Sequence, residues 1–64
     1  MILLINDKPI ETRAWTLADL IKEQQVEGAF ALAVNETFVP KSQYPYTLLT
    51  EHDRIEIVAP MQGG

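Results

Sequence analysis

The chain has 64 residues, 47% of them hydrophobic, which allows one hydrophobic core but neither a second domain nor a deep substrate cavity. It contains no cysteine, which excludes disulfides and Cys-ligated zinc and favours a reducing compartment such as the cytoplasm. Its formal net charge is −4 and its basic residues are scattered, which argues against nucleic-acid binding and favours a protein partner with a basic groove.

The first two elements predicted along the chain are the strands of a β-hairpin. Met1–Ile5 is apolar, but it lacks a basic flank and is too short for a signal peptide or a membrane span, so no membrane association is expected. We interpret it as a strand. A turn at Asn6–Pro9 should join it to a second strand at residues 10–13, since Asn, Asp and Pro favour turn geometry.

A helix is predicted to begin at Thr16. Thr16 and Asp19 have the spacing of an N-cap residue and an acidic residue in the first turn, where side-chain oxygens satisfy free amides and oppose the helix dipole. Gly28 is predicted to follow its end, because a residue without Cβ commonly terminates a helix. Positions three and four residues apart form an apolar face that should cover a sheet. These positions are Leu17, Leu20, Ile21 and Gln24.

Two strands are predicted after Gly28. The run Ala29–Val34 alternates small and bulky side chains, which indicates a central strand whose bulky side faces the core. Its bulky residues are Phe30, Leu32 and Val34. Residues 37–39 should form a short edge strand that Pro40 ends, since Pro cannot donate to a strand ladder.

The last part of the domain is predicted to contain a loop and a final strand. Residues 41–50 are the least regular, and we predict a loop with one short helical turn capped by Ser42. Residues 54–59 alternate in polarity, with Ile55 and Ile57 on one face, which indicates an amphipathic strand. Four aromatic residues are interpreted as packing in the core or at its rim rather than binding a ligand. They are Trp15, Phe38, Tyr44 and Tyr46.

These elements predict an α+β fold with a mixed sheet of four or five strands and one main helix packed across one face. The helix has only one sheet to cover, and a compact solution places the first and last strands side by side and parallel in the middle. That arrangement is the ubiquitin-like β-grasp. Residues 1–59 should form the domain and residues 60–64 a flexible C-terminal tail, which in extended conformation reaches about 17 Å.

No residue pattern indicates a catalytic or metal site within the chain. The single histidine, His52, precedes Asp53 in a predicted turn, and we interpret it as a residue that tolerates a left-handed turn position. The carboxylates are too dispersed for a Ca²⁺ loop, and no pair of histidines exists to supply metal-ligand spacing. We therefore expect no catalytic residues and no bound metal.

The C-terminal Gly63-Gly64 is the feature that most needs a functional explanation. A Gly-rich end can be an incidental frayed terminus. The alternative is steric, because a carboxylate that must enter a narrow channel of a partner enzyme cannot carry side chains on its last residues. Adenylation of the Gly64 carboxylate would then make it open to attack by a sulfur or nitrogen nucleophile.

Over its whole length the chain resembles the ThiS family of ubiquitin-like sulfur carriers in thiamine biosynthesis. The resemblance rests on several segments, each of which is weak evidence for the family alone but which are specific in combination. These segments are Leu32-Ala33-Val34-Asn35-Glu36, Val39-Pro40, Asp53-Arg54-Ile55-Glu56-Ile57-Val58 and Met61-Gln62-Gly63-Gly64. The family often has Gly where this chain has His52, a departure that affects the turn and leaves the transfer chemistry untouched.

The resemblance implies that an E1-like, ThiF-type adenylyltransferase uses ATP and Mg²⁺ to convert the Gly64 carboxylate into an acyl-adenylate. Sulfur from a cysteine desulfurase or a related donor then displaces AMP and leaves a thiocarboxylate. A ThiG-type thiazole synthase would use that sulfur to build the thiazole phosphate of thiamine. The chain would bind no cofactor itself and would act as a protein co-substrate rather than an enzyme.

Related functions with the same terminus remain open alternatives. The chain could be the sulfur-carrying small subunit for molybdopterin synthesis, a ubiquitin-like modifier joined to lysines, or a non-covalent interaction module with an incidental Gly-Gly. In each carrier role we predict that partners dock on the exposed side of the sheet and on the tail. The residues predicted to contact partners are Val58, Pro60, Met61 and Gln62, with Gly63 as the channel-compatible neighbour of Gly64.

Overall fold

A computed structural model describes residues 1–59 as a five-stranded sheet with one α-helix and one 3₁₀ helix. The elements are β1 (Ile2–Ile5), β2 (Lys8–Glu11), α1 (Leu17–Glu23), β3 (Ala31–Val34), β4 (Thr37–Phe38), the 3₁₀ helix (Lys41–Tyr46) and β5 (Arg54–Val58). The predicted tail, residues 60–64, lies outside the described residues. Within residues 1–59, neither helix is long and apolar enough to cross a membrane.

The sheet has the order β2-β1-β5-β3-β4 and places the first and last strands together in its centre. β1 pairs with β5 in parallel, with Leu4 opposite Arg54 and Ile5 opposite Ile55. The other three pairings are antiparallel. The mixed sheet and the central parallel pair predicted from the sequence are therefore confirmed.

The first hairpin differs from the prediction in where its turn ends. Asn6 and Asp7 alone form the turn, with φ of 50° and 69°, and Lys8 already pairs with Ile5. Pro9, predicted to belong to the turn, lies in β2 opposite Leu4. β2 is an edge strand, and an edge position accepts a residue that has no backbone N–H to donate.

The helix begins as predicted and ends earlier than predicted. The Thr16 hydroxyl oxygen accepts a hydrogen bond from the backbone N–H of Asp19 at 3.2 Å. Gln25, with φ of 57°, rather than Gly28, provides the left-handed residue that ends the helix. Its N–H donates to the carbonyl of Lys22 at 3.2 Å, and the N–H of Val26 donates to that of Ile21 at 3.1 Å, which is the Schellman pattern.

Replacing Thr16 with Ala should remove the N-cap and lower the free energy of unfolding by about 1 kcal/mol. Thr16→Ser keeps the accepting oxygen and is the matched control. Urea unfolding followed by far-UV circular dichroism measures both. Equal losses for the two variants would show that loss of the Thr16 γ-methyl group, which both variants lack, rather than loss of the cap causes the effect.

The core lies between the sheet and the two helices. Five large side chains are fully buried: Leu3, Leu17, Leu20, Leu32 and Ile55. The 3₁₀ helix contributes Tyr44, whose ring stacks on Phe30 with centroids 6.2 Å apart and an interplanar angle of 14°. The predicted inward faces of the helix and of the third and fifth strands are confirmed, except that Gln24 is an exposed C-cap.

Three of the four aromatic residues assigned to the core or its rim lie on the surface instead. Trp15 is 69% exposed, and Phe38 and Tyr46 are also exposed, so only Tyr44 is buried. Ser42 does not cap the 3₁₀ helix, because the N-cap position is Pro40, which makes no side-chain capping bond. Aromatic character was a poor guide to burial here, because a chain of 64 residues has only one layer of helix and this layer covers only one face of the sheet.

Candidate functional site

The site predicted from the sequence begins where β5 ends. β5 is the central strand, with hydrogen-bonded neighbours on both sides, and Val58 is its last residue. Ala59 follows, and the five remaining residues lead to Gly64. The residues that follow β5 are therefore attached to the central strand of the sheet.

One face of the sheet is left uncovered by the helices, and we call it the open face. Because side chains alternate along a strand, the residues between the core positions point to this face. Ala33 lies opposite Glu56 and Phe38, and Ala31 lies opposite Val58. The open face is defined by Leu4, Ala31, Ala33, Phe38, Arg54, Glu56 and Val58. The side chain of Val58 is 62% exposed, and Phe38 is similarly exposed.

The end of β5 is held by a side chain from the first hairpin. The backbone N–H of Ile57 donates to Oδ1 of Asn6 at 2.9 Å, and Nδ2 of Asn6 donates to the carbonyl of Ile57 at 3.2 Å. The backbone N–H of Asn6 itself donates to the carbonyl of Ile55 at 2.9 Å. Asn6 therefore continues the pairing of β1 with β5 beyond the last residue of β1.

The start of β5 is held in a similar way by the second hairpin. The backbone N–H of Arg54 donates to Oδ1 of Asn35 at 3.0 Å, and Nδ2 of Asn35 donates to a carboxylate oxygen of Asp53 at 3.0 Å. Asn35 has φ of 49°, close to the value at Asn6. The two asparagines occupy the first positions of the two hairpin turns and form hydrogen bonds with opposite ends of the same strand.

Asp53 is a buried carboxylate, 8% exposed, that organises the loop before β5. Besides Asn35, it accepts hydrogen bonds from the backbone N–H of Thr50 at 2.9 Å and from its hydroxyl at 2.8 Å. Burial alone would raise the pKa of Asp53, but these hydrogen bonds to Thr50 and Asn35 outweigh it and hold the pKa below its ordinary value. The group is therefore a stably ionised structural anchor.

The residues predicted to form the site fall into two groups. Val58 lies at the end of β5 on the open face. Pro60, Met61, Gln62, Gly63 and Gly64 lie outside the described residues. His52 occupies a turn at φ of 68°, as predicted, and is exposed.

Sequence reasoning missed the side-chain roles of Asn6, Asn35 and Asp53. The available signal was the Asn-Asp and Asn-Glu pairs at positions 6–7 and 35–36, since Asn tolerates the left-handed geometry of two-residue hairpin turns. That signal identifies the turns. The contacts of the amide groups depend on which strands the fold brings beside them.

The sheet order, the single helix across one face and a central last strand that leads to Gly-Gly define a ubiquitin-like β-grasp protein. Comparison with known structures agrees. A crystal structure of the thiamine biosynthesis protein ThiS from Geobacter metallireducens matches with a TM-score of 0.85 and 22% identity, covering 100% of both chains. A solution NMR structure of a thiamine biosynthesis protein from the same organism matches with a TM-score of 0.82 and 20% identity, covering 100% of this chain and 88% of the other.

Structural similarity at these identities establishes the fold alone, whereas the family follows from the sequence. The model of the ThiS family matches residues 3–64, which is nearly the whole chain and includes Gly64. The protein therefore belongs to the ThiS family. A comparison with curated proteins finds no match.

Proposed function

We propose that this protein carries sulfur on its C-terminal Gly64 for thiamine biosynthesis. The observation that supports the proposal most strongly is the match to the ThiS family, which extends to the last residue and so includes Gly63-Gly64. The fold agrees with the proposal, because a small domain with a central terminal strand can present a chain end to another enzyme.

The proposed chemistry takes place at the Gly64 carboxylate in two steps. One carboxylate oxygen attacks the α-phosphorus of ATP, with Mg²⁺ in the adenylyltransferase, and pyrophosphate leaves. Sulfide-level sulfur (HS⁻) then attacks the acyl carbon, and AMP leaves with the carboxylate oxygen that had bonded to phosphorus, so the chain ends as a thiocarboxylate whose sulfur can be transferred. When the donor is a persulfide, the first product is an acyl disulfide, and a thiol then cleaves its S–S bond to release the thiocarboxylate.

The proposed partners follow from these steps. A ThiF-type adenylyltransferase would activate the terminus, and a cysteine desulfurase or a related donor would supply sulfur. A ThiG-type thiazole synthase would accept it. The test is to incubate the thiocarboxylated protein separately with a thiazole synthase and with the large subunit of a molybdopterin synthase. Sulfur transfer to the molybdopterin subunit alone would reject the thiamine assignment and favour the alternative carrier role.

We place the docking surface for these enzymes on the open face beside the tail. This face exposes Phe38 and Val58 around the small residues Ala31 and Ala33, so a partner can approach the sheet closely. An exposed group of apolar side chains on a face that includes the last residue of β5 is typical of a protein interaction site.

Val58→Asp should weaken binding of the carrier to the adenylyltransferase by about tenfold or more, because an aspartate in the contact would be buried without a partner. Isothermal titration calorimetry measures the dissociation constant. Tyr46→Asp is the matched control, since Tyr46 is 78% exposed but lies on the 3₁₀ helix, away from the open face. Equal affinity of the Val58→Asp variant and the unmodified protein would remove this residue from the docking surface.

A further inference from the structure

We propose that Asn6 is a positioning residue for the reaction at Gly64, acting through the end of β5. This inference rests on the proposed carrier function. It concerns how the domain fixes the point from which residues 60–64 depart, and it assigns a role to a side chain that contacts no reacting atom.

The need for such a residue follows from the lengths of the central strands. β1 ends at Ile5, which lies opposite Ile55, whereas β5 continues to Val58. The backbone groups of Ile57 face the β1 side of the sheet, where β1 no longer provides a partner. Without a substitute, the last residues of β5 would be held on one side only, by their pairing with β3.

The Asn6 side chain supplies that substitute. Its amide contacts both polar backbone groups of Ile57, at 2.9 Å to the N–H and 3.2 Å to the carbonyl oxygen. A side-chain amide carries one acceptor and one donor on a single planar group, as a peptide does. Asp in its place would lack the donor, and Ala would lack both groups.

The consequence for function is geometric. Ile57 is seven positions before Gly64 in the sequence, so a displacement at the end of β5 moves the point from which the remaining residues start. Adenylation needs the carboxylate oxygen in line with the α-phosphorus of ATP, and a misplacement of about 1 Å can cost up to about 100-fold in rate. Pairing on both sides up to Ile57 fixes the point from which the chain continues toward Gly64.

Asn35 offers a matched control at the other end of the same strand. It also stands first in a two-residue hairpin turn, is exposed, and gives one accepted and one donated side-chain hydrogen bond next to β5. Replacing either asparagine with Gly removes two side-chain hydrogen bonds while keeping a residue that adopts positive φ easily. Asn6→Gly affects the C-terminal end of β5, whereas Asn35→Gly affects its start.

The experiment measures steady-state pyrophosphate release by the adenylyltransferase, with the full-length carrier as the varied substrate and ATP saturating. Relative to Asn35→Gly, Asn6→Gly should lower kcat about tenfold and leave KM within about twofold, since positioning and not docking is disturbed. Asn6→Asp, which keeps the acceptor for the Ile57 N–H, should fall between Asn6→Gly and the unmodified protein. Amide hydrogen exchange should show faster exchange at Ile57 in Asn6→Gly but not in Asn35→Gly.

Equal kcat values for Asn6→Gly and Asn35→Gly would overturn the inference, as would a loss confined to KM. If Asn6→Gly does not fold, the Asn6→Asp variant tests the inference instead. An unchanged kcat in Asn6→Asp would also overturn the inference. A failure of the proposed function gives a different result, because the adenylyltransferase would then release no pyrophosphate even with the unmodified carrier. The inference would be rejected together with the proposed function.

Discussion

Deleting Gly64 is expected to abolish activation of this protein by the adenylyltransferase. One residue contributes about 3.3 to 3.6 Å of extended chain, so the new carboxylate would stop short of the α-phosphorus of ATP by several times the tolerated misplacement. Adding one Gly after Gly64 should have a similar effect, because the carboxylate would then overshoot. We expect the rate of pyrophosphate release to fall at least about 100-fold in both variants.

The control for these two variants is the stability of the domain. Neither change touches residues 1–59, so the urea midpoint of unfolding should match that of the unmodified protein. A variant that is fully folded and still activated at the normal rate would show that activation does not depend on the exact position of the chain end, and would contradict the expected requirement for a carboxylate at Gly64.

The second large effect is expected at Asp53 and concerns stability. Asp53→Ala leaves the N–H and hydroxyl of Thr50 and the amide of Asn35 without their shared acceptor. Since unsatisfied donors cost about 1 to 3 kcal/mol when buried, and these are partly buried, we expect a loss of about 2 to 4 kcal/mol in the free energy of unfolding. Guanidinium unfolding at neutral pH measures it, with Asp53→Asn as a variant of the same size that lacks the charge.

The pH dependence provides an independent check on Asp53. Its pKa in the folded state is lowered, so the stability it contributes is present above the pKa of the unfolded state and is lost as the pH falls through the lower, folded value. The difference in stability between the unmodified protein and Asp53→Asn should therefore shrink below about pH 4. Glu23, whose pKa is lowered chiefly by its hydrogen bond with Thr12, titrates in both proteins and cancels in the difference. A stability difference between the two proteins that stays constant below about pH 4 would contradict the proposed role of the ionised Asp53.

Local sequence signals predicted the strands and the start of the helix well. Thr16 and Asp19 identify the N-cap by their spacing alone, and the alternation around Ile55 and Ile57 identifies the last strand. Such signals depend on neighbours within a few residues. The central parallel pair of the first and last strands also followed, because one helix and one sheet leave few compact topologies.

The end of the helix was harder to predict because two residues offered the required conformation. Glycine is the usual choice for a left-handed C-terminal residue, which favoured Gly28. In the structure Gln25 adopts that conformation, and the bond from Val26 to Ile21 closes the last turn. The apolar Val26 directly after Gln25 is typical of this type of helix end, and the prediction did not use it.

The candidate site was predicted only in part for a related reason. Val58 could be placed at the end of the last strand from its pattern, whereas the contacts of Asn6 with Ile57 join residues 51 positions apart. Nothing in the local sequence specifies that contact. Trp15 shows the opposite error, since it was expected in the core or at its rim and its side chain is exposed.

The central claim, that Gly64 carries sulfur, is tested most directly by intact-protein mass spectrometry. The full chain is incubated with the adenylyltransferase of its own host, Mg-ATP and a sulfur source, in parallel with the Gly64-deleted variant. We expect a mass gain equal to replacement of one oxygen by one sulfur in the full chain and none in the variant. No gain in the full chain, with an adenylyltransferase shown to activate another carrier, would contradict the account.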